Sequence, residues 1–155
     1  MGAQGRREAA PEALPPRPRG IVVAAGIVWL ESAALLVAAV AFIAVGAGSS
    51  TVSLIALAAM FVVLALGLFA VALAIWRMHR WGRPAAIAWQ ILQALFGVSM
   101  LTAPPVDFWG AAGAIVPAAI FLAAIFLPAS LRAYELAAEY YAAHPSEPAP
   151  PPKRW

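Results

Sequence analysis

The chain has 155 residues, 64% of them hydrophobic and only 11% charged, less than half the roughly 25% of an ordinary soluble domain. Ten basic and seven acidic side chains cannot cover a water-soluble globule of this size, and twelve of them lie outside residues 21–127, so disorder and a soluble domain are both excluded and the apolar middle must face lipid. The formal charge of +3 is spread along an apolar chain with no basic patch interleaved with aromatics, which argues against nucleic acid as a partner, and the absence of cysteine excludes disulfide scaffolds, iron–sulfur sites and a thiol nucleophile.

Residues 1–20 are rich in Pro and Arg and read as a disordered cytoplasmic arm. Four apolar stretches follow, each able to cross a hydrocarbon core of roughly 30 Å as a helix of about 20 residues. The first covers 21–45 and stops at Gly46-Ala47-Gly48-Ser49-Ser50, a turn that could not continue a lipid-facing helix. A cleaved signal peptide is the competing reading of this stretch, because Arg6 and Arg7 precede it and Ala44-Val45-Gly46-Ala47 offers small residues for cleavage. Its length beyond the roughly 7 to 15 residues of a signal core, and the Glu it contains, argue for a retained span.

The second span covers about 52–75 and ends in Trp76-Arg77-Met78-His79-Arg80-Trp81-Gly82-Arg83, where two Trp bracket basic residues as expected at a headgroup interface. Trp76, Arg77, Arg80, Trp81, Arg83 and, at the other side, Trp109 are therefore the expected interface anchors. The third span, 84–101, opens on Pro84, whose missing N–H costs nothing in a first helical turn, and breaks at Thr102-Ala103-Pro104-Pro105. The fourth, 108–127, contains Pro117, which removes one helical hydrogen bond and predicts a kink. After Pro128, residues 129–143 read as a short juxtamembrane helix with Leu131, Tyr134, Leu136 and Tyr141 beside Arg132, Glu135 and Glu139, and 144–155 as a disordered Pro-rich tail.

The expected fold class is thus all-α: a polytopic membrane protein, a four-transmembrane-helix bundle over 21–128 with a short C-terminal interfacial helix. Basic residues resist translocation, and here they fall before span one, between spans two and three, and after span four, while the other two connectors hold only Asp107. This places both termini in the cytoplasm of a plasma-membrane protein.

Within the spans an ionisable group is costly, on the order of 2.5–3.5 kcal/mol for a charge at the helix centre, and the chain has one such group, Glu31, roughly 15 Å into span one. No basic residue lies in another span to pair with it, and lipid disfavours an isolated charge, so a neutral hydrogen-bonding partner is expected. Gln90 and Gln93 share a face of span three and lie roughly 9 and 14 Å deep from the same side, Gln93 nearly level with Glu31. Small residues flank both sets, Ala24, Ala34 and Ala38 on one side and Ala86, Ala94 and Gly97 on the other, and let helices approach, so spans one and three are predicted to touch through Glu31, Gln90 and Gln93. This polar cluster is either interhelical glue or a site for a proton, substrate or lipid headgroup. Ser32 and Ser99 are expected to bond their own helix backbones. His79 reads as a solvated interface residue, His144 lies in the tail, and two loop histidines supply no converging ligands for haem or zinc, so no metal and no cofactor are expected.

Trp29-Leu30-Glu31 in span one, Arg80-Trp81-Gly82-Arg83-Pro84 leading to Gln90, and Leu127-Pro128-Ala129-Ser130-Leu131-Arg132 resemble small four-span integral membrane proteins common in actinobacteria, a family without an assigned activity. The resemblance covers about 21–132, implies the four-span topology, and points to Glu31 and Gln90. Small multidrug resistance transporters also combine four spans with one Glu in the first. They often form antiparallel dimers that require a weak basic bias, whereas the bias here is complete and span three lacks their Gly-rich pattern.

With no acid pair, activated nucleophile, metal cluster or phosphate-binding Gly loop, an enzyme is not expected. The reading is a structural or accessory bundle, with the bilayer as its first partner and Ala and Gly stripes suited to a second copy or another membrane protein. The alternative is a small proton- or cation-coupled transporter using Glu31; a pocket reaching Glu31 favours transport, and a dry, tightly packed Glu31 favours glue.

Overall fold

The computed structural model describes residues 13–45 and 51–145. The turn expected over 46–50, the proposed cleavage site and most of both terminal arms lie outside the described residues. Five helices account for the structure, α1 (Arg19–Val45), α2 (Thr51–Trp76), α3 (Gly82–Thr102), α4 (Phe108–Ile125) and α5 (Pro128–Ala143), and no strand occurs among the described residues. The first four are long and apolar enough to cross a membrane.

Local chemistry sets the helix ends. At the end of α2 the chain closes a Schellman motif: Met78 N–H donates to the Ile75 carbonyl and His79 N–H to the Ala74 carbonyl. The residue that must turn left-handed is Met78, with φ of 55°, where Gly would be the usual choice. Its side chain is fully buried in the core, and that packing offsets the backbone cost. Asp107 caps α4, its Oδ1 accepting from the Gly110 N–H at 2.9 Å. Pro128 does not merely end the fourth span; it is the first residue of α5, where its fixed φ suits a helix start. Likewise α3 starts at Gly82, two residues ahead of Pro84.

The most extensive pairings are α1 with α2 and α3 with α4, and the ring is closed by α1 against α4 and α2 against α3. Spans one and three therefore lie across a diagonal, and they meet, as expected, through Glu31 and Gln90, by reach of side chains and not by close approach of their backbones. Ala24 and Ala86 enter one buried cluster, Ala34 and Ala38 line a cleft, and Gly97 packs against a ring neighbour. A Cβ on Gly97 would lie 2.6 Å from Ile115 Cγ1 and 3.1 Å from the Ala111 carbonyl oxygen, so α3 needs glycine there to approach α4. The expectation for Ser32 is corrected: its Oγ donates across to the Ala65 carbonyl of α2 at 2.8 Å, because close Ala-lined packing brings that carbonyl within reach. Ser99 does bond its own helix, at the Phe96 carbonyl.

Packing is unequal along the bundle axis. Ile21, Ala24, Ala25 and Val28 of α1, Leu68, Ala72 and Ile75 of α2, Ala86 of α3, and Phe121 and Ile125 of α4 form one buried cluster with Ala133, Tyr134 and Ala137 of α5. All of these lie in the half of each span nearest the α2–α3 connector, where α5 covers the end. In the other half the two helical hairpins keep their internal contacts, such as the Phe42–Phe61 stack at 5.4 Å. Between them they leave a cleft.

Candidate functional site: an acid on the wall of an apolar cleft

Glu31 stands where the packed half gives way to the open half. Three side chains are its polar partners, all from α3. Trp89 Nε1 donates to Glu31 Oε2 at 3.0 Å, and Gln90 Nε2 spans both carboxyl oxygens, at 3.1 Å to Oε1 and 2.9 Å to Oε2. Gln93 is the third side chain to approach the carboxyl, one turn further toward the open half. The diagonal between α1 and α3 is thus bridged by long polar side chains rather than by backbone proximity.

The two glutamines differ in environment. Gln90 is completely buried, whereas Gln93 lines the cleft beside Glu31 and Trp89. Each leaves a buried side-chain oxygen without a hydrogen-bond partner, Gln90 Oε1 and Gln93 Oε1. Donors therefore serve Glu31 as an acceptor, and two unused amide acceptors stand ready for a donor hydrogen, whether from a protonated carboxyl or from a bound molecule.

The cleft has a volume of about 930 Å³, near the top of the roughly 300–1,000 Å³ range of small-molecule sites. Its walls are apolar apart from Glu31, Trp89 and Gln93, with Leu30 and Ala34 of α1, Phe96 of α3 and Pro117 of α4 among them. Helix α4 runs unbroken through Pro117. Proline cannot donate to the carbonyl four residues earlier, so the freed acceptor belongs to Gly113, which lines the same cleft.

The aromatic and basic residues at the connector end are dispersed in environment. Trp81, Arg77 and Arg80 are exposed there, and Trp109 is 89% exposed at the opposite end. Trp76 turns inward, with its ring 5.5 Å from that of Trp29 and the Arg17 guanidinium 4.6 Å above it. His79 is half-buried and stacks on Tyr141 at 4.7 Å, while Tyr141 donates to the Arg77 carbonyl at 2.8 Å. Arg83 is half-buried, its guanidinium 5.2 Å from the Phe126 ring and 5.9 Å from Tyr134. Burial pushes the Tyr134 hydroxyl up to about 12, against the opposing pull of the Arg83 charge.

Reasoning from sequence passed over Trp89 as a partner of Glu31. The signal was present: an indole N–H deep in a span needs an acceptor, and Trp89 directly precedes Gln90. No family model, curated protein or solved structure matches the chain.

Proposed function

We propose that this protein binds an amphipathic small molecule within the bilayer and that Glu31 is the polar end of the site. The observation that carries this reading is the position of the Glu31 carboxyl on the wall of a 930 Å³ apolar cleft instead of inside the packed half of the bundle. An apolar body would fill the cleft, and a donor or proton would meet Glu31 and the spare amide oxygen of Gln93. The molecule is a non-enzymatic plasma-membrane protein with both termini in the cytoplasm, and coupling of ligand to proton at Glu31 would make it a small carrier.

The accessory-bundle reading rests on a different observation, the bonds from Trp89 and Gln90 that tie α1 to α3. Treating native membranes with a lipid-soluble carbodiimide separates the two. A carboxyl open to the cleft forms a stable adduct, so mass spectrometry should find the mass increment on the peptide holding Glu31, and none in Glu31→Gln. An unmodified Glu31 under conditions that label an accessible carboxyl of a control membrane protein would leave only the structural role.

A further inference from the structure

The Arg-rich end holds a second polar arrangement, independent of the cleft. Arg83 is the second residue of α3, a helix of 21 residues whose first turn has no side-chain cap; the Gly82 and Ala85 N–H groups donate to the His79 and Trp81 carbonyls and Pro84 has none, and no acidic side chain in that turn offsets the Arg83 charge. The guanidinium is held by rings, with Phe126 and Tyr134 flanking it. No hydrogen bond or ion pair joins the Arg83 side chain to any described residue. Its Nε is buried and unpartnered, whereas its two terminal nitrogens are not among the buried unpartnered atoms, so that fork points outward from the ring clamp. Tyr134 adds an independent sign of a missing partner: it is only 8% exposed, yet its hydroxyl is buried with nothing to bond.

A permanently charged, planar fork pre-positioned by aromatic rings, beside a spare hydroxyl, is complementary to a tetrahedral oxyanion that can take two N–H bonds in parallel. The acidic residues nearest in sequence on α5, Glu135 and Glu139, are exposed and make no ion pair among the described residues, while Arg77, Arg80 and Arg132 add positive charge at the same end. Exposed Trp81 next to Arg83 puts this end at headgroup depth. We infer that Arg83, with Tyr134, binds a phosphate group, delivered either by an anionic membrane lipid or as free phosphate.

The test is a titration of the purified full chain in neutral detergent, read by native mass spectrometry and by the thermal unfolding midpoint. The probes are short-chain phosphatidylglycerol, phosphatidylcholine and inorganic phosphate. Saturable binding of phosphatidylglycerol is expected, about tenfold weaker in Arg83→Gln and intermediate in Arg83→Lys, which keeps the charge and loses the fork. Arg132→Gln, an exposed α5 position, should bind like the parent. A matching rise with inorganic phosphate identifies free phosphate as sufficient, and a rise with the lipid alone identifies the headgroup; either supports the site. Tyr134→Phe gives a second route, with weakened binding expected, should Arg83→Gln fail to fold. Undiminished binding in the folded variants, or equal binding of phosphatidylcholine in parent and Arg83→Gln, would overturn the inference.

Discussion

At the scale of single residues, the consequence of the Glu31 geometry is an asymmetry between two substitutions. Glu31→Gln retains an oxygen that can accept from Trp89 Nε1 or Gln90 Nε2, so the bridge survives in part. Glu31→Leu leaves both donors facing an apolar side chain, and an unsatisfied buried donor costs about 1–3 kcal/mol. Thermal unfolding in detergent should therefore show Glu31→Gln close to the parent and Glu31→Leu clearly lowered, with Trp89→Phe between them because it removes one N–H and keeps the ring. Equal midpoints for all three would mean that the bridge holds nothing together. Gln90 was legible as a partner because an amide three residues from another on one helix face has few roles in lipid. That Gln90 spans both carboxyl oxygens while Gln93 faces the cleft was not legible, because depth counted from helix ends ignores the tilt and rotation of each helix.

At the scale of elements, α4 is the wall most open to manipulation. Pro117 withdraws from the helix the hydrogen bond its position would make to the Gly113 carbonyl, and both residues line the cleft. Pro117→Ala restores the donor, so α4 should become more stable as a helix and its wall stiffer. The expected outcome is a raised thermal midpoint together with reduced carbodiimide labelling of Glu31. Unchanged labelling would show that the proline does not shape access to the cleft. The span limits were legible to within two residues because lipid-crossing runs are long and bounded by Pro, Gly and charge. Pro128 was harder to place, since a proline that ends one helix and a proline that begins the next look alike until the chain direction between them is known.

At the scale of the whole molecule, the distribution of positive charge argues for one orientation, with the α2–α3 connector and α5 on the cytoplasmic side. The chain lacks cysteine, so single cysteines report position without background. A membrane-impermeant maleimide should label Ala103→Cys in intact cells, and Ala142→Cys only after permeabilisation; both positions are exposed. The reverse pattern would invert the topology and move the packed half of the bundle to the outside. In the proposed orientation the cleft lies toward the outer half of the membrane, and the covered end with its Arg83 fork faces the anionic inner leaflet.

Composition and the spacing of apolar runs determined by themselves that the chain is all-helical, that four helices match a bilayer, and that Glu31 is the one acid within them, because insertion into lipid depends on hydrophobicity summed over a whole segment. Which helices are neighbours is another matter. Small-residue stripes mark every surface able to pack, and lipid supplies no water-driven preference among those surfaces, so only the tertiary structure decided that α1 and α3 oppose each other across the ring. From that arrangement come the polar bridge at Glu31, the packed end covered by α5, and the cleft between the two hairpins.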